Sequence, residues 1–66
     1  MEYSRDDLME AGRQIGSTLH KLRETVKTLR GKENPERYKA QITLAERRIR
    51  AFELANGLIE RELERM

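Results

Sequence analysis

Residues 38–66 read YKAQITLAERRIRAFELANGLIERELERM, and this stretch carries the clearest periodicity in the chain. Apolar side chains recur in it at alternating spacings of four and three, as they do along the seam of a coiled coil. The seam positions are Tyr38, Ile42, Ala45, Ile49, Phe52, Asn56, Ile59, Leu63 and Met66. The pattern predicts a helix over about residues 35–65, with Asn34 as its N-cap and Pro35 as its first residue.

A second seam lies upstream and predicts another helix over about residues 5–30. Its members are Leu8, Gly12, Ile15, Leu19, Leu22, Val26 and Leu29. Ser4 stands three residues before Asp7, which is the spacing of an N-terminal capping pair. Gly31 comes two residues after Leu29, the last residue of this seam, and we expect it to end the helix in the left-handed conformation that favours glycine.

The connection between the two helices is only about residues 31–34, so the helices must fold back antiparallel. The predicted fold class is therefore all-α. A single domain over residues 1–66 forms an antiparallel two-helix hairpin that resembles a short coiled coil. Docking the seams from the turn outward places Leu29 near Tyr38 and Leu8 near Ile59.

One glycine, Gly12, and one asparagine, Asn56, interrupt the seams, and a second glycine, Gly16, lies one helical turn after Gly12. The docked register places Gly12 opposite Phe52 and Asn56. Glycine inside a helix costs about 1 kcal/mol relative to alanine, so we expect Gly12 and Gly16 to make room for the Phe52 ring or for a closely approaching helix. Asn56 lies either in the core, where a buried amide fixes register, or at the boundary with its amide in water.

Length and composition favour self-association. The chain has 66 residues, no cysteine and one histidine, His20. A chain this short buries a small core, and disulfides, a metal or oligomerisation usually compensate. Disulfides are excluded, and one histidine is too few for a structural zinc site, so we predict no metal and no cofactor. Of the three means of compensation, only oligomerisation remains. We therefore predict a homodimeric four-helix bundle.

An apolar stripe on the second helix is displaced roughly 120° from its seam, at ~100° per residue. The stripe residues are Leu44, Ala51, Leu54, Ala55 and Leu58. They predict an interface with a second copy of the chain or with a helix of a hetero-partner. The indicated function is that of a small helical protein–protein interaction or adaptor protein.

The charges divide between the two ends of the hairpin. Residues 20–50 hold ten Lys/Arg and four Glu, a net of +6, whereas the rest of the chain carries a net of −4. Antiparallel docking brings the arginines of the second helix near Lys21 and Arg23. The alternative function is that of a nucleic-acid-binding accessory protein that uses the basic turn half. Its candidate contact residues are Lys21, Arg23, Lys27, Arg47, Arg48 and Arg50.

Other classes of function are not expected. No apolar run approaches the ~20 residues that span a bilayer, and the N-terminal residues lack the apolar core of a signal peptide, which predicts a cytoplasmic protein with no membrane partner. The glycines are dispersed, and neither His20 nor any hydroxyl side chain is spaced from other residues as a catalytic pair would be. We therefore expect no enzymatic activity and no small-molecule substrate.

Three stretches resemble a group of short uncharacterised two-helix proteins of Gram-positive bacteria. They are residues 8–15 (LMEAGRQI), 42–52 (ITLAERRIRAF) and 58–63 (LIEREL). Some of these small proteins look similar to cargo genes of mobile elements, which implies an accessory or regulatory role. The resemblance implies the hairpin fold and carries over no functional residue.

Overall fold

The computed structural model describes residues 2–66, which form two long α-helices and no strand. Helix α1 spans Arg5–Arg30 and helix α2 spans Lys39–Arg65. Their packing is antiparallel, because side chains late in α1 pair with side chains early in α2. The described residues measure 48 × 16 × 15 Å. The predicted all-α hairpin is confirmed.

The start of α1 is fixed by the capping residue that its sequence predicts. The Ser4 Oγ accepts a hydrogen bond from the Asp7 backbone N–H at 3.0 Å, and the Ser4 carbonyl accepts one from the Leu8 N–H at 3.1 Å. Asp6 and Asp7 lie in the first turn, where the helix dipole favours negative charge. The Ser4 cap is confirmed.

The end of α1 differs from the prediction. Gly31 has φ −80° and ψ −6°, so its backbone is in the right-handed helical conformation. The prediction of a left-handed cap was wrong. Its N–H donates to the Lys27 and Thr28 carbonyls at 3.1 and 3.2 Å, and the Lys32 N–H donates to the Leu29 carbonyl at 3.3 Å. The helix therefore ends by tightening into three-residue turns, which satisfy its last carbonyls without any positive φ.

The start of the second helix also differs from the prediction. Pro35–Tyr38 form one turn of 3-10 helix, and α2 begins only at Lys39. Asn34 stands at the N-cap position and Pro35 at the first helical position, as predicted, but they begin the 3-10 turn and not α2. The Arg37 N–H donates to the Asn34 carbonyl at 3.1 Å, whereas the Asn34 side chain makes no capping bond. The tighter 3-10 turn closes the connection and carries Tyr38 onto the core.

The core lies in the turn half of the hairpin. Val26, Ile42 and Ala45 are buried together, and partly buried apolar side chains pack against them. Those neighbours are Leu22, Leu29, Tyr38 and Ile49. Within residues 2–66 the only other buried side chains are Leu8 and Leu19. Apart from Leu8, most seam residues of the open half, such as Ile15 and Phe52, are only half-buried, so the core becomes thinner towards the open end.

Neither helix of the described chain combines the length and the apolarity that crossing a membrane requires.

Candidate interaction surface

One face of the hairpin is closed by two ion pairs between the helices. The Arg30 guanidinium donates to the Glu46 carboxylate at 2.9 Å, and the Arg23 guanidinium donates to the Glu53 carboxylate at 3.0 Å. The two pairs are one heptad apart on each helix. All four side chains are about half exposed, so each pair contributes only ~0.2–1 kcal/mol. We call this side of the hairpin the ion-pair face.

The opposite side, which we call the stripe face, holds the predicted apolar stripe. At ~100° per residue, Leu44, Ala51 and Leu58 lie on the flank of the α2 seam away from Glu46 and Glu53. On α1 the flank away from the ion-paired arginines carries one charged side chain between residues 11 and 29, that of Lys21, which lies one heptad after Gln14. The uncharged residues of this flank are Ala11, Gln14, Thr18, Leu22, Thr25 and Leu29. The stripe face therefore carries fewer charges than the ion-pair face, and the charges on its α2 side are those of Arg48 and Glu62.

Large apolar side chains on this side of α2 remain in solvent. Leu44 is 49% exposed, Leu54 is 53% exposed and Leu58 is 64% exposed. Ala51 is also exposed, and Ala55 is half-buried. Leu54 lies further round the helix, where it lines a shallow groove with Leu58 beside Gly57. The hairpin leaves the predicted stripe residues accessible, and the five of them follow one side of α2.

The stripe face ends in a cleft of about 750 Å³ at the open end of the hairpin. Tyr3, Leu8, Leu58, Glu62 and Met66 are among its lining residues. Tyr3 and Met66 are both more than half exposed. The sequence predictions missed this cleft, although a signal for it exists. Tyr3 precedes the Ser4 cap and Leu8 is the fourth residue of α1, and these are the two positions of a hydrophobic staple.

Asn56 lies between the helices on the other side of the seam. Its Nδ2 donates to the Gly12 carbonyl at 3.4 Å, and its Oδ1 is buried with no hydrogen-bond partner among residues 2–66. A Cβ on Gly12 would lie 3.8 Å from this amide, and one on Gly16 would lie 3.9 Å from it. Of the two alternatives for these glycines, room for the Phe52 ring is wrong, because the atoms of α2 nearest to them belong to Asn56 and Ile59. These contacts agree with the other alternative, a closely approaching helix.

The basic residues of the turn half are not gathered into one patch. All six candidate contact residues are exposed, and Arg23 is the one of them that forms an ion pair within residues 2–66, with Glu53. Arg47, Arg48 and Arg50 point in different directions around α2, because neighbouring residues of a helix are ~100° apart. Duplex binding by these residues stays a prediction.

One carboxyl group has a shifted pKa. A hydrogen bond from the Gln14 amide, together with the neighbouring Arg13 guanidinium, lowers the pKa of Glu10 below its ordinary value of 4.5. All three side chains are exposed on the surface of α1. The shift reflects helical neighbours and not a reactive site. In the part of the chain that the structure describes, no three acidic, histidine or cysteine side chains are placed to hold a metal ion.

No protein-family model, no curated protein and no solved structure matches this chain.

Proposed function

We propose that the chain is a small helical protein–protein interaction or adaptor module that self-associates through its stripe face into a four-helix bundle. The observation that carries the proposal is the exposure of Leu44 and Leu58, at 49% and 64%, on the stripe face of the hairpin. Full burial of a leucine side chain is worth about 1.5–3 kcal/mol. Two such faces packed together would remove these side chains from water in both copies.

The thin core supports the same proposal. Five buried side chains among residues 2–66 make a small core, and most seam residues of the open half are only half-buried. Packing the stripe faces of two hairpins would extend this core across four helices, as in natural bundles. Self-association would thus complete a core that one hairpin leaves unfinished.

The distribution of charge supports an antiparallel arrangement of the two hairpins. The basic half of one copy, at +6, would then lie beside the acidic half of the other, at −4. A parallel arrangement would bring the two basic halves together and the two acidic halves together. Charge of this kind selects orientation, whereas apolar burial supplies most of the affinity.

Sedimentation velocity over a range of protein concentrations tests the proposal. We expect a wild-type dimer at micromolar concentration, and a monomer of lower helicity when Leu44→Lys and Leu58→Lys are combined. Met9→Lys is a matched control, because Met9 is 46% exposed but lines a groove on the ion-pair face with Arg13 and Glu60. The control should remain dimeric.

Two results would contradict self-association. One is a wild-type monomer that stays fully helical at every concentration, which would direct attention to a hetero-partner for the stripe. The other is a double-lysine variant that dimerises as strongly as wild type.

A further inference from the structure

The stripe face of α2 has a pattern that reads similarly in both directions from Ala55. Arg48 lies seven residues before Ala55 and Glu62 lies seven residues after it. Leu44 lies eleven residues before it and Met66 lies eleven residues after it. Two antiparallel helices that cross at Ala55 would therefore place each member of these pairs opposite the other.

We propose that two copies of α2 pack antiparallel on a two-fold axis at Ala55, and that Leu44 of each copy enters the end cleft of the other. The proposal rests on the self-association proposed above. It adds the register of the two α2 helices and the side chain that occupies the cleft. The occupant of the cleft is thus a second copy of this chain.

The cleft suits a leucine side chain by position and by lining. It opens on the stripe face at the end of α2, next to Met66, which the register places opposite Leu44. Tyr3, Leu58 and Met66 supply apolar surface within its volume of about 750 Å³. Leu44 is half exposed on its own hairpin, so it has surface left to bury in a partner.

Charge complementarity selects a second copy as the occupant. Glu62 lines the cleft, and its ion pair with Arg65, at 3.7 Å, is long. Arg48 is exposed on the stripe face and has no ion pair within residues 2–66. The proposed register brings the Arg48 guanidinium of one copy to the Glu62 carboxylate of the other, and the two-fold axis makes this contact twice.

Side-chain size agrees with the same register. Alanine at the axis lets the two helices approach closely, since each copy of Ala55 meets the other. The large Leu58 of each copy lies within one residue, about 1.5 Å along the axis, of the level of the small Ala51 of the other, so large and small side chains alternate across the interface. A parallel register would place Leu58 against Leu58 and Arg48 against Arg48.

Cysteine cross-linking tests the position of the axis, because the chain has no cysteine of its own. On mild oxidation, Ala55→Cys should form a disulfide-linked dimer in high yield. Ala51→Cys should not, because its two copies would be separated by about 12 Å along the axis at ~1.5 Å rise per residue. Cross-linking of both variants would indicate a parallel dimer and overturn the proposal.

A charge swap tests the contact at the cleft. We expect Arg48→Glu and Glu62→Arg each to weaken the dimer about tenfold, and the double variant to regain most of the wild-type affinity. Arg50→Glu is the control, because it makes the same charge change about 160° around the helix and should have little effect.

These results separate the register from self-association itself. A wild-type dimer by sedimentation whose Ala55→Cys variant does not cross-link, or whose charge swap restores nothing, would overturn the register and leave self-association intact. A wild-type chain that stays monomeric would overturn both proposals.

Discussion

Replacing Gly16 with alanine is expected to stabilise the hairpin, and this follows from the space around it. The new Cβ would lie 3.9 Å from the Asn56 Nδ2, which is an ordinary van der Waals distance. The substitution therefore keeps the gain in helix propensity, about 0.8–1.0 kcal/mol. For a domain of this size, such a gain raises the melting temperature by roughly 4–8 °C.

Gly57→Ala provides the reference value for this measurement. Gly57 lies in α2, and nothing in the described structure would be within 4 Å of its Cβ, so only helix propensity changes there. Gly16→Ala should therefore match it to within a few tenths of a kcal/mol. Gly16→Leu should lose stability by about 1–3 kcal/mol, because its outer atoms would displace the Asn56 amide.

Thermal and urea unfolding followed by far-ultraviolet circular dichroism provide the measurement. All variants must be compared at one protein concentration, since association shifts apparent stability. The reasoning is refuted if Gly16→Ala is less stable than wild type while Gly57→Ala is more stable. That outcome would mean that α2 approaches α1 more closely at this point than the 3.9 Å distance indicates.

Further substitutions test the helix ends, the surface charges and the basic half. Ser4→Ala should destabilise the protein by about 1 kcal/mol in the same unfolding assay, because it removes the capping acceptor of the Asp7 N–H. Gly31→Ala should be neutral or stabilising, because the backbone of Gly31 is right-handed and the new Cβ would lie at an ordinary contact distance, 3.5 Å, from two carbonyl oxygens. A loss of stability above about 1 kcal/mol, the order of a lost cap, would contradict this. The pKa of Glu10 is lowered, so its carboxylate stabilises the fold above its ordinary pKa and loses that effect as the pH falls; Glu10→Gln should weaken this part of the acid dependence. If the basic half binds a generic DNA duplex, the affinity should fall steeply with salt and with glutamine at the six basic positions, whereas no binding at low salt would eliminate that function.

The helices were predictable because a seam of fixed spacing specifies the buried side of a helix from the sequence alone. The capping of α1 at Ser4 followed from a local rule that involves four residues. The connection was less predictable, because several backbone paths join two antiparallel helices. The structure uses a right-handed Gly31 and a 3-10 turn at Pro35–Tyr38, whereas the sequence suggested a left-handed glycine and an α-helix that begins at Pro35.

The surface was predictable only in part. The spacing of Leu44 and Leu58 showed that they share one side of α2, and the hairpin leaves both exposed. Spacing does not give the rotation of one helix against the other, so it did not reveal that Arg23 pairs with Glu53. For the same reason it did not distinguish Phe52 from Asn56 as the residue that faces Gly16.

The spacing of the ion pairs on the ion-pair face affects how the two helices move relative to each other. The first two ion pairs join Arg30 to Glu46 and Arg23 to Glu53. One heptad further along, the equivalent pair would join residue 16 to Glu60. Residue 16 is glycine, which has no side chain to form this pair. Between Gly16 and the open end the helices therefore lack an ion pair of this series, and the core there is thin. The two helices should therefore separate first at the open end, while the turn half stays packed. Backbone amides near the open end should exchange with deuterium fastest. Entry of Leu44 from a second copy would hold the two helices together at the open end, and amide protection there should then rise with protein concentration.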